Sequence, residues 1–475
     1  MNVKGTKKKN QVVTANIFEQ QELLKKAEVI KKNLTASTWR ELETNGKFDK
    51  NEKLSFISDD MLILGCDVGS ETHYLRAIDT RGRELSKSAF PFSNDSEGFQ
   101  SAKEWAVRIA ADHDKKQIVL GLEPTGHYWF CLATWMISNG ISVVQVNPYA
   151  VKQTKEVEDN SQLKDDTKDP KLIDNLVKDG NFGMPYLPEK LYAELRRLSM
   201  FRDQLNEDRI RAINRMHREM KIYFPEYKDA FGKVDGAFSL ELLKSAPFPD
   251  DLKALDENGI RQIWHEAKLR GRGYSRSGEI LGYARSSVGI RDGADAAKIA
   301  VQWFVKKIME LEEELAVIEN LINQKCQEIP HAGNILEISG IGENTLSGIL
   351  AEMGDISRFD DVKEIQKLSG LGLVACSSGK HKGETKISHR GRKRLRYWLF
   401  QAAKSAVAHA EEVKELHVYY TTRPDNPLKK MQSLIVIACK LLRIVYTILK
   451  KGTVYDPKKM LMDIRRPEKK EAIAA

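Results

Sequence analysis

The sequence predicts a multidomain protein: a mixed α/β domain, then long coiled-coil helices, then a mainly helical, basic C-terminal domain. Three observations predict it. Apolar runs near 61–68, 72–79, 84–90, 117–123 and 141–146 have the length of buried strands, and helical patterns alternate with the later ones. Val301, Phe304, Ile308, Leu311, Leu315, Ile318 and Ile322 recur at spacings of three and four over three heptads. From 331 onward the pattern is helical and rich in lysine and arginine. A chain of 475 residues is too long for one ordinary core.

Residues 1–60 form a lysine-rich N-terminal extension with a helical stretch around Phe18 to Leu34 and no evident chemistry. The α/β domain occupies 61–185. Its first three strands are joined by a turn at Arg81-Gly82-Arg83 and are followed by a helix at 97–111. Then come the strand at 117–123, a helix at 127–139, the strand at 141–146 and helices to about 180. The order β-β-β-α-β-α-β-α is that of the ribonuclease H-like fold. Residues 186–330 hold two long helices around an inserted spacer, 225–297. The first, 187–224, puts Leu191, Leu195, Leu198 and Leu205 on one face and ends at Pro225. The spacer contains glycine and has weak periodicity. The second carries the heptad seam, with Glu312, Glu313 and Glu314 on its polar faces. It pairs either with 187–224 or across a subunit interface. In 331–455, Ile338-Ser339-Gly340-Ile341-Gly342 between helical segments reads as a helix-hairpin-helix-like element, whose backbone N–H groups can take a phosphate. A basic tail, 456–475, closes the chain.

Net charge of +9 and a pI near 9.0 suit a polyanionic partner. No apolar stretch reaches bilayer-spanning length, and the N-terminus lacks a signal-like apolar run, so no membrane partner is expected. Five scattered cysteines, Cys66, Cys131, Cys326, Cys376 and Cys439, show no zinc or disulfide spacing and fit a reducing cytosol.

Most of the 67 acidic residues must be solvated surface. Four stand apart in combination. Asp67 and Glu123 close apolar runs, and Asp166 and Asp169 lie three apart at a helix start. A carboxylate at the end of a buried strand faces the mouth of the sheet, where ligands bind. Hard oxygens of this kind hold magnesium and leave room for phosphate. Asp165 competes with Asp166 for the third place. A second constellation lies in 377–396. Lys380, Lys382, Lys386, Arg390, Arg392, Lys393, Arg394 and Arg396 face one acid, Glu384, and such a cluster neutralises nucleic-acid phosphates. Ser378 and Gly379 stand just ahead of most of it, and a serine beside cations is a candidate nucleophile.

From about 61 to 455, apart from 225–297, the chain resembles the DEDD transposases of the insertion-sequence one-ten family, relatives of Piv-type DNA invertases. The motifs are Gly65-Cys66-Asp67-Val68-Gly69, Glu123-Pro124-Thr125-Gly126 and Lys164-Asp165-Asp166-Thr167-Lys168-Asp169. They look like the family's RuvC-like domain, and its D-x-x-D spacing selects Asp166 with Asp169. Ile338 to Gly342, Gly354 to Phe359, Ser369-Gly370-Leu371, Ser378-Gly379 and the basic run from Ile387 to Arg396 are similar to its serine transposase domain. Two positions depart from the pattern: Leu373 replaces a usual proline, and Pro170 a usual alanine. The resemblance implies a transposase that cuts and rejoins DNA. Donor and target DNA would be paired by a structured non-coding RNA, a bridge RNA, with sequence choice delegated to base pairing. Ser378 would form a phosphoserine link, the four acids would bind Mg2+, and a dimer or tetramer would combine the acidic domain of one subunit with the serine domain of another. Such a protein works in the cytoplasm, on the nucleoid. Two competing readings are a branched-DNA nuclease using metal-activated water in the acidic domain alone, and a non-catalytic nucleic-acid scaffold.

Overall fold

The structure is a computed structural model. It describes residues 48–464 apart from 125, 159–168, 375–376, 379–380 and 383–384. Helix α1 (Phe48–Phe56) leads into β1 (Met61–Asp67), β2 (Thr72–Ile78), β3 (Phe90–Ser93) and α2 (Ser96–Asp112). Then come β4 (Gln117–Leu122), α3 (Trp129–Ser138), β5 (Ser142–Val146), α4 (Pro148–Glu158), α5 (Asp169–Lys178) and β6 (Phe182–Gly183). The helical middle comprises α6 (Lys190–Tyr223), α7 (Tyr227–Phe231), α8 (Ala237–Ser245), α9 (Pro249–Glu266), α10 (Ser277–Ser286) and α11 (Ala294–Gln327). Helices α12 (Glu343–Met353) and α13 (Val362–Leu368) precede four two-residue strands, β7 (Leu373–Val374), β8 (Ser377–Ser378), β9 (His381–Lys382) and β10 (Lys386–Ile387). Helices α14 (Lys393–His409), α15 (Glu411–Thr422), α16 (Lys430–Lys451) and α17 (Pro457–Met460) follow.

Two compact units emerge, neither continuous in sequence: residues to Glu189 with Asp355–Arg396, and Lys190–Gly354 with the chain from Tyr397.

The first unit is built on a six-stranded sheet of order β3-β2-β1-β4-β5-β6. Strands β1, β4 and β5 run parallel, while β2, β3 and β6 join antiparallel. This is the mixed, ribonuclease H-like sheet that the sequence predicts. Successive residues of a strand face opposite sides. On one face Leu62, Leu64 and Cys66 of β1 and Ile118, Leu120 and Leu122 of β4 pack with Phe99, Ala102 and Ala106 of α2 and Leu132 and Met136 of α3. On the other, Met61, Ile63 and Val119 pack with Ile173, Leu176 and Val177 of α5. With both faces covered, the central strands carry unbroken apolar runs.

The third strand lies later than the 84–90 read from the sequence. A tight turn starts the deviation: Asp79 Oδ1 accepts the N–H groups of Arg81 and Arg83 at 2.9 and 2.8 Å, and Gly82 takes φ 82°. Ile78 bridges Glu84, and Leu85 N–H donates to Ala77. The N–H of Ala77 then donates to the Ser86 hydroxyl instead of a carbonyl, and the ladder stops. It resumes with Phe90 opposite Leu75.

In the second unit α6 and α11 run antiparallel: Arg209 pairs with Glu312 at 2.6 Å, and Glu194 with Lys325 at 3.0 Å. Val301, Ile308, Leu311 and Ile322 of the heptad seam are buried inside the chain. Within the chain, the seam's partner is the 190–223 helix. The spacer, which the sequence left without structure, is four helices around their own core. Trp264, Tyr227, Phe231, Leu243 and Leu252 join Met216, Met220 and Phe224 of α6 and Val301 and Val305 of α11 there. Helices α7, α8 and α10 are ten residues or shorter, and α9 is broken by non-helical backbone at Asp256, so none carries a sustained period. The glycine turn between 338 and 342 is present. Gly340 has φ 93°, and a side chain there would strike the backbone of α14 at Ser405.

One expectation needs correction. Helix α16, 22 residues, is long and apolar enough by length and composition to cross a bilayer. Lys440 and Arg443 interrupt that run in the sequence. Its Ile437, Leu441, Leu442, Val445 and Ile448 are buried in the protein.

Candidate active site

Asp67 is the last residue of β1, and Glu123 follows the last residue of β4. The parallel register pairs Gly65 with Gly121 and Cys66 with Leu122, so the two acids close neighbouring strands side by side. Residues two apart share a face. Asp67 therefore stands on the side of Ile63 and Gly65, and Glu123 on the side of Val119 and Gly121, which is the side of α5. Asp169 opens α5, and Pro170 sits in its first turn, where its missing N–H costs nothing.

The two glycines bring α5 down onto the sheet. A methyl group on Gly65 would overlap the Pro170 carbonyl oxygen and lie 2.7 Å from Asp174 Oδ1. On Gly121 it would overlap the Val177 side chain. The close approach of α5 is what carries Asp169 to the acids. The sequence held the signal as Gly-Cys-Asp at 65–67 and Gly-Leu-Glu at 121–123, a glycine two residues before each strand-end acid. Gly65→Ala should push the helix away and destabilise the protein by about 1–3 kcal/mol, the usual cost of overpacking. Metal-dependent cleavage should fall further than the folded fraction does, and urea melts run beside cleavage assays check both. Unchanged melting and cleavage would refute the close-packing argument.

The acids lie within electrostatic reach of one another. Glu123 is half-buried, and burial raises its pKa; Asp67 and then Asp169 raise it further, and Lys155 pulls it back. Lys155 Nζ, from α4, donates to Asp169 Oδ1 at 2.6 Å. Asp165 and Asp166 fall outside the described residues. Cys66 faces the opposite core, and burial pushes its thiol well above the ordinary range, so it takes no part.

These carboxylates match a hard divalent cation in donor chemistry, and their mutual repulsion is the charge such an ion would relieve. Among the described residues, no three His, Cys, Asp or Glu side chains converge closely enough to chelate one ion. Asp67, Glu123 and Asp169 are thus gathered at one sheet edge without forming a complete chelate among the described residues.

Ser378 lies in a small hairpin of the same unit. Strand β8 pairs antiparallel with β9, Ser377 opposite Lys382 and Ser378 opposite His381. Strand β7 pairs with β10, Val374 opposite Lys386. Among Lys380, His381 and Lys382, it is His381 that the backbone register sets across from Ser378. Of the eight predicted phosphate-binding cations, Lys380 falls outside the described residues. Lys386, Arg390 and Lys393 are exposed. Arg396 has a folding role: its Nη1 donates to the carbonyls of Ser369 at 2.9 Å and His389 at 3.3 Å. Arg392 lies 5.5 Å from the Tyr186 ring centre.

Arg390 lies over the Tyr149 ring at 5.2 Å. Tyr149 is the second residue of α4, the helix that carries Lys155. The basic segment after Ser378 and the acidic sheet edge are thereby tied through one helix. The sequence reading missed both Tyr149 and Lys155. An aromatic and a lysine on a half-exposed helix carry no signal of their own.

Two family models match the chain. One, a DEDD-type model of the IS110 group described as "Transposase", matches residues 64–225. The other, described as "Transposase IS116/IS110/IS902 family", matches residues 332–418. All four acids lie in the first and Ser378 in the second. The chain is 21% identical over 401 residues to the insertion element IS116 uncharacterized 44.8 kDa protein of Streptomyces clavuligerus, covering 84% of this chain and 97% of that one. It is 24% identical over 372 residues to the pilin gene-inverting protein of Moraxella bovis, covering 77% and 89%. With the IS900 uncharacterized 42 kDa protein of Mycobacterium paratuberculosis it shares 24% over 270 residues, 57% of this chain and 67% of that one.

Proposed function

The chain belongs to the IS110/IS116/IS900 family of transposases, enzymes of DNA transposition, and on that premise we propose how it cuts and rejoins DNA. Asp67, Glu123, Asp166 and Asp169 hold Mg2+, and Ser378 is the nucleophile. Donor and target DNA are selected by pairing with a structured bridge RNA, so that the protein reads backbone and shape. The enzyme acts in the cytoplasm, on the nucleoid, as a dimer or tetramer. One observation carries this reading: the acidic sheet edge and the serine hairpin belong to one compact unit, joined through Arg390, Tyr149 and α4.

Bound at the acids, the metal would supply electrostatic stabilisation of the phosphate under attack. The protein's own groups do the rest. The Ser378 Oγ–P bond forms as one P–O bond of the DNA backbone breaks. The serine proton passes to a base, for which His381, opposite in the backbone ladder, is our candidate, and ends on the leaving oxygen. One phosphodiester replaces another, so the later rejoining needs no outside energy source. A serine hydroxyl is a weak nucleophile, and the cations that neighbour it in sequence would favour its ionised form.

The test is a phosphate-labelled DNA incubated with protein, RNA and magnesium. A protein–DNA adduct that survives denaturation, and is lost when RNA is withheld, is the expected result. Free cut ends without an adduct would replace the serine route with a metal-and-water nuclease. No cleavage at all would leave a scaffold.

The exposed cations have their own test. Lys386, Arg390 and Lys393 changed together to Ala should weaken DNA binding. They should also flatten the plot of log affinity against log salt by about 2–3, close to one unit per lost phosphate contact. An unchanged slope would show that the three touch no phosphate.

A further inference from the structure

The acid site already contains a cation. Lys155 Nζ is 2.6 Å from Asp169 Oδ1, and the two side chains are only 30% and 23% exposed. Lys155 is also the charge that offsets Asp67 and Asp169 at Glu123. Its helix is held at the other end, where Arg390 covers Tyr149. Six residues separate Tyr149 from Lys155, a rise of about 9 Å along the helix. The lysine is therefore carried on a helix anchored at Tyr149. The described acids do not converge far enough to chelate an ion, and one of them has its oxygen committed to an ammonium.

We propose that Lys155 is the placeholder of the divalent cation, a positioning residue that neutralises the acids before metal loads and that must give up Asp169 Oδ1 for metal to take that oxygen. The proposal rests on the metal-dependent reading of the acidic site. An ammonium and a divalent ion cannot share one carboxylate oxygen, because two cations at that distance repel strongly. The lysine thus stabilises the metal-free fold and lowers metal affinity. Magnesium sites of this kind use few carboxylates and complete their shell with substrate phosphates. Bound DNA adds negative charge, which favours two positive charges over one. Metal loading is then coupled to the presence of substrate, and an idle protein is kept from cutting.

The experiment uses the full chain without nucleic acid. Thermal unfolding is followed in EDTA and then across a titration of Mg2+ or Mn2+. Wild type is compared with Lys155→Met, which keeps the stem, Lys155→Gln, which keeps a donor, and Lys155→Arg, which keeps the charge. The Met and Gln variants should melt lower in EDTA. They should also reach half of their metal-induced stabilisation at a three- to tenfold lower metal concentration. The Arg variant should stay near wild type in both respects. If metal stabilises wild type and the uncharged variants respond at the same or a higher concentration, the placeholder role is wrong. If neither metal stabilises wild type or the uncharged variants, the metal-binding reading of the acids falls first. A lysine with a merely structural role would lower melting in EDTA without moving the metal midpoint.

Discussion

Ser378→Ala is expected to abolish both strand exchange and the covalent protein–DNA adduct while leaving DNA and RNA binding in place. The side-chain oxygen is the only atom of the residue that can bond to phosphorus. Its loss removes the nucleophile and very little apolar area, so the fold should not suffer. Removing a nucleophile from a covalent enzyme slows it by about 10⁴-fold or more. Recombination measured between two plasmids should fall by at least that amount, and no labelled DNA should stay on the protein after denaturation. Ser377→Ala is the matched control. Ser377 and Ser378 are neighbours on β8, and only Ser378 precedes Gly379 in the Ser-Gly motif. The control should recombine close to wild type. Adduct kept in Ser378→Ala and lost in Ser377→Ala would move the nucleophile by one residue. Recombination in both would end the serine mechanism and promote hydrolysis by metal-activated water.

Asp67→Asn and Glu123→Gln should each stop cleavage for a different reason. Both substitutions keep size and remove charge, and a hard cation needs that charge. Loss of several kcal/mol of charge stabilisation at the phosphate corresponds to a fall on the order of 10³-fold or more. Stability should move the other way. Burial and the neighbouring Asp67 and Asp169 raise the pKa of Glu123, so its ionisation costs the folded protein free energy. An acid with a raised folded pKa is neutral and harmless below the ordinary carboxyl range, and its cost grows as pH rises through the folded value. Glu123→Gln removes that cost. In EDTA at pH 8 the Gln variant should melt at or above wild type, while losing the stabilisation that magnesium gives. Wild-type cleavage by either variant would refute the metal site. A Gln variant that melts far below wild type in EDTA would instead make Glu123 a structural group.

The sequence made the α/β unit legible through β1 and β4, because both are buried on two faces and so read as unbroken apolar runs ending in an acid. The third strand was misplaced because a serine hydroxyl, and no feature of hydrophobicity, ended the first stretch of its pairing. The spacer was illegible because its helices are short or broken at Asp256, and their apolar residues answer to Trp264 and Tyr227, not to a period of their own. The candidate site divides in the same way. Asp67, Glu123, Asp169 and Ser378 were singled out by position within local motifs. Lys155 and Tyr149 were not, since each matters only through a residue at least 14 positions away.

By itself, then, the sequence determined the mixed sheet, the strand-end acids, the two long helices and the family. Those depend on local periodicity, on charge density and on spacing within a few residues. Tertiary structure alone decided that the heptad seam closes on α6 within the chain, and that Gly65 and Gly121 admit α5 to the sheet. It also decided that the serine hairpin joins the acidic sheet in one unit, and that an ammonium occupies an acid of the site. Each of these sets together residues far apart along the chain, and a linear sequence carries no distance between such residues until packing brings them into contact.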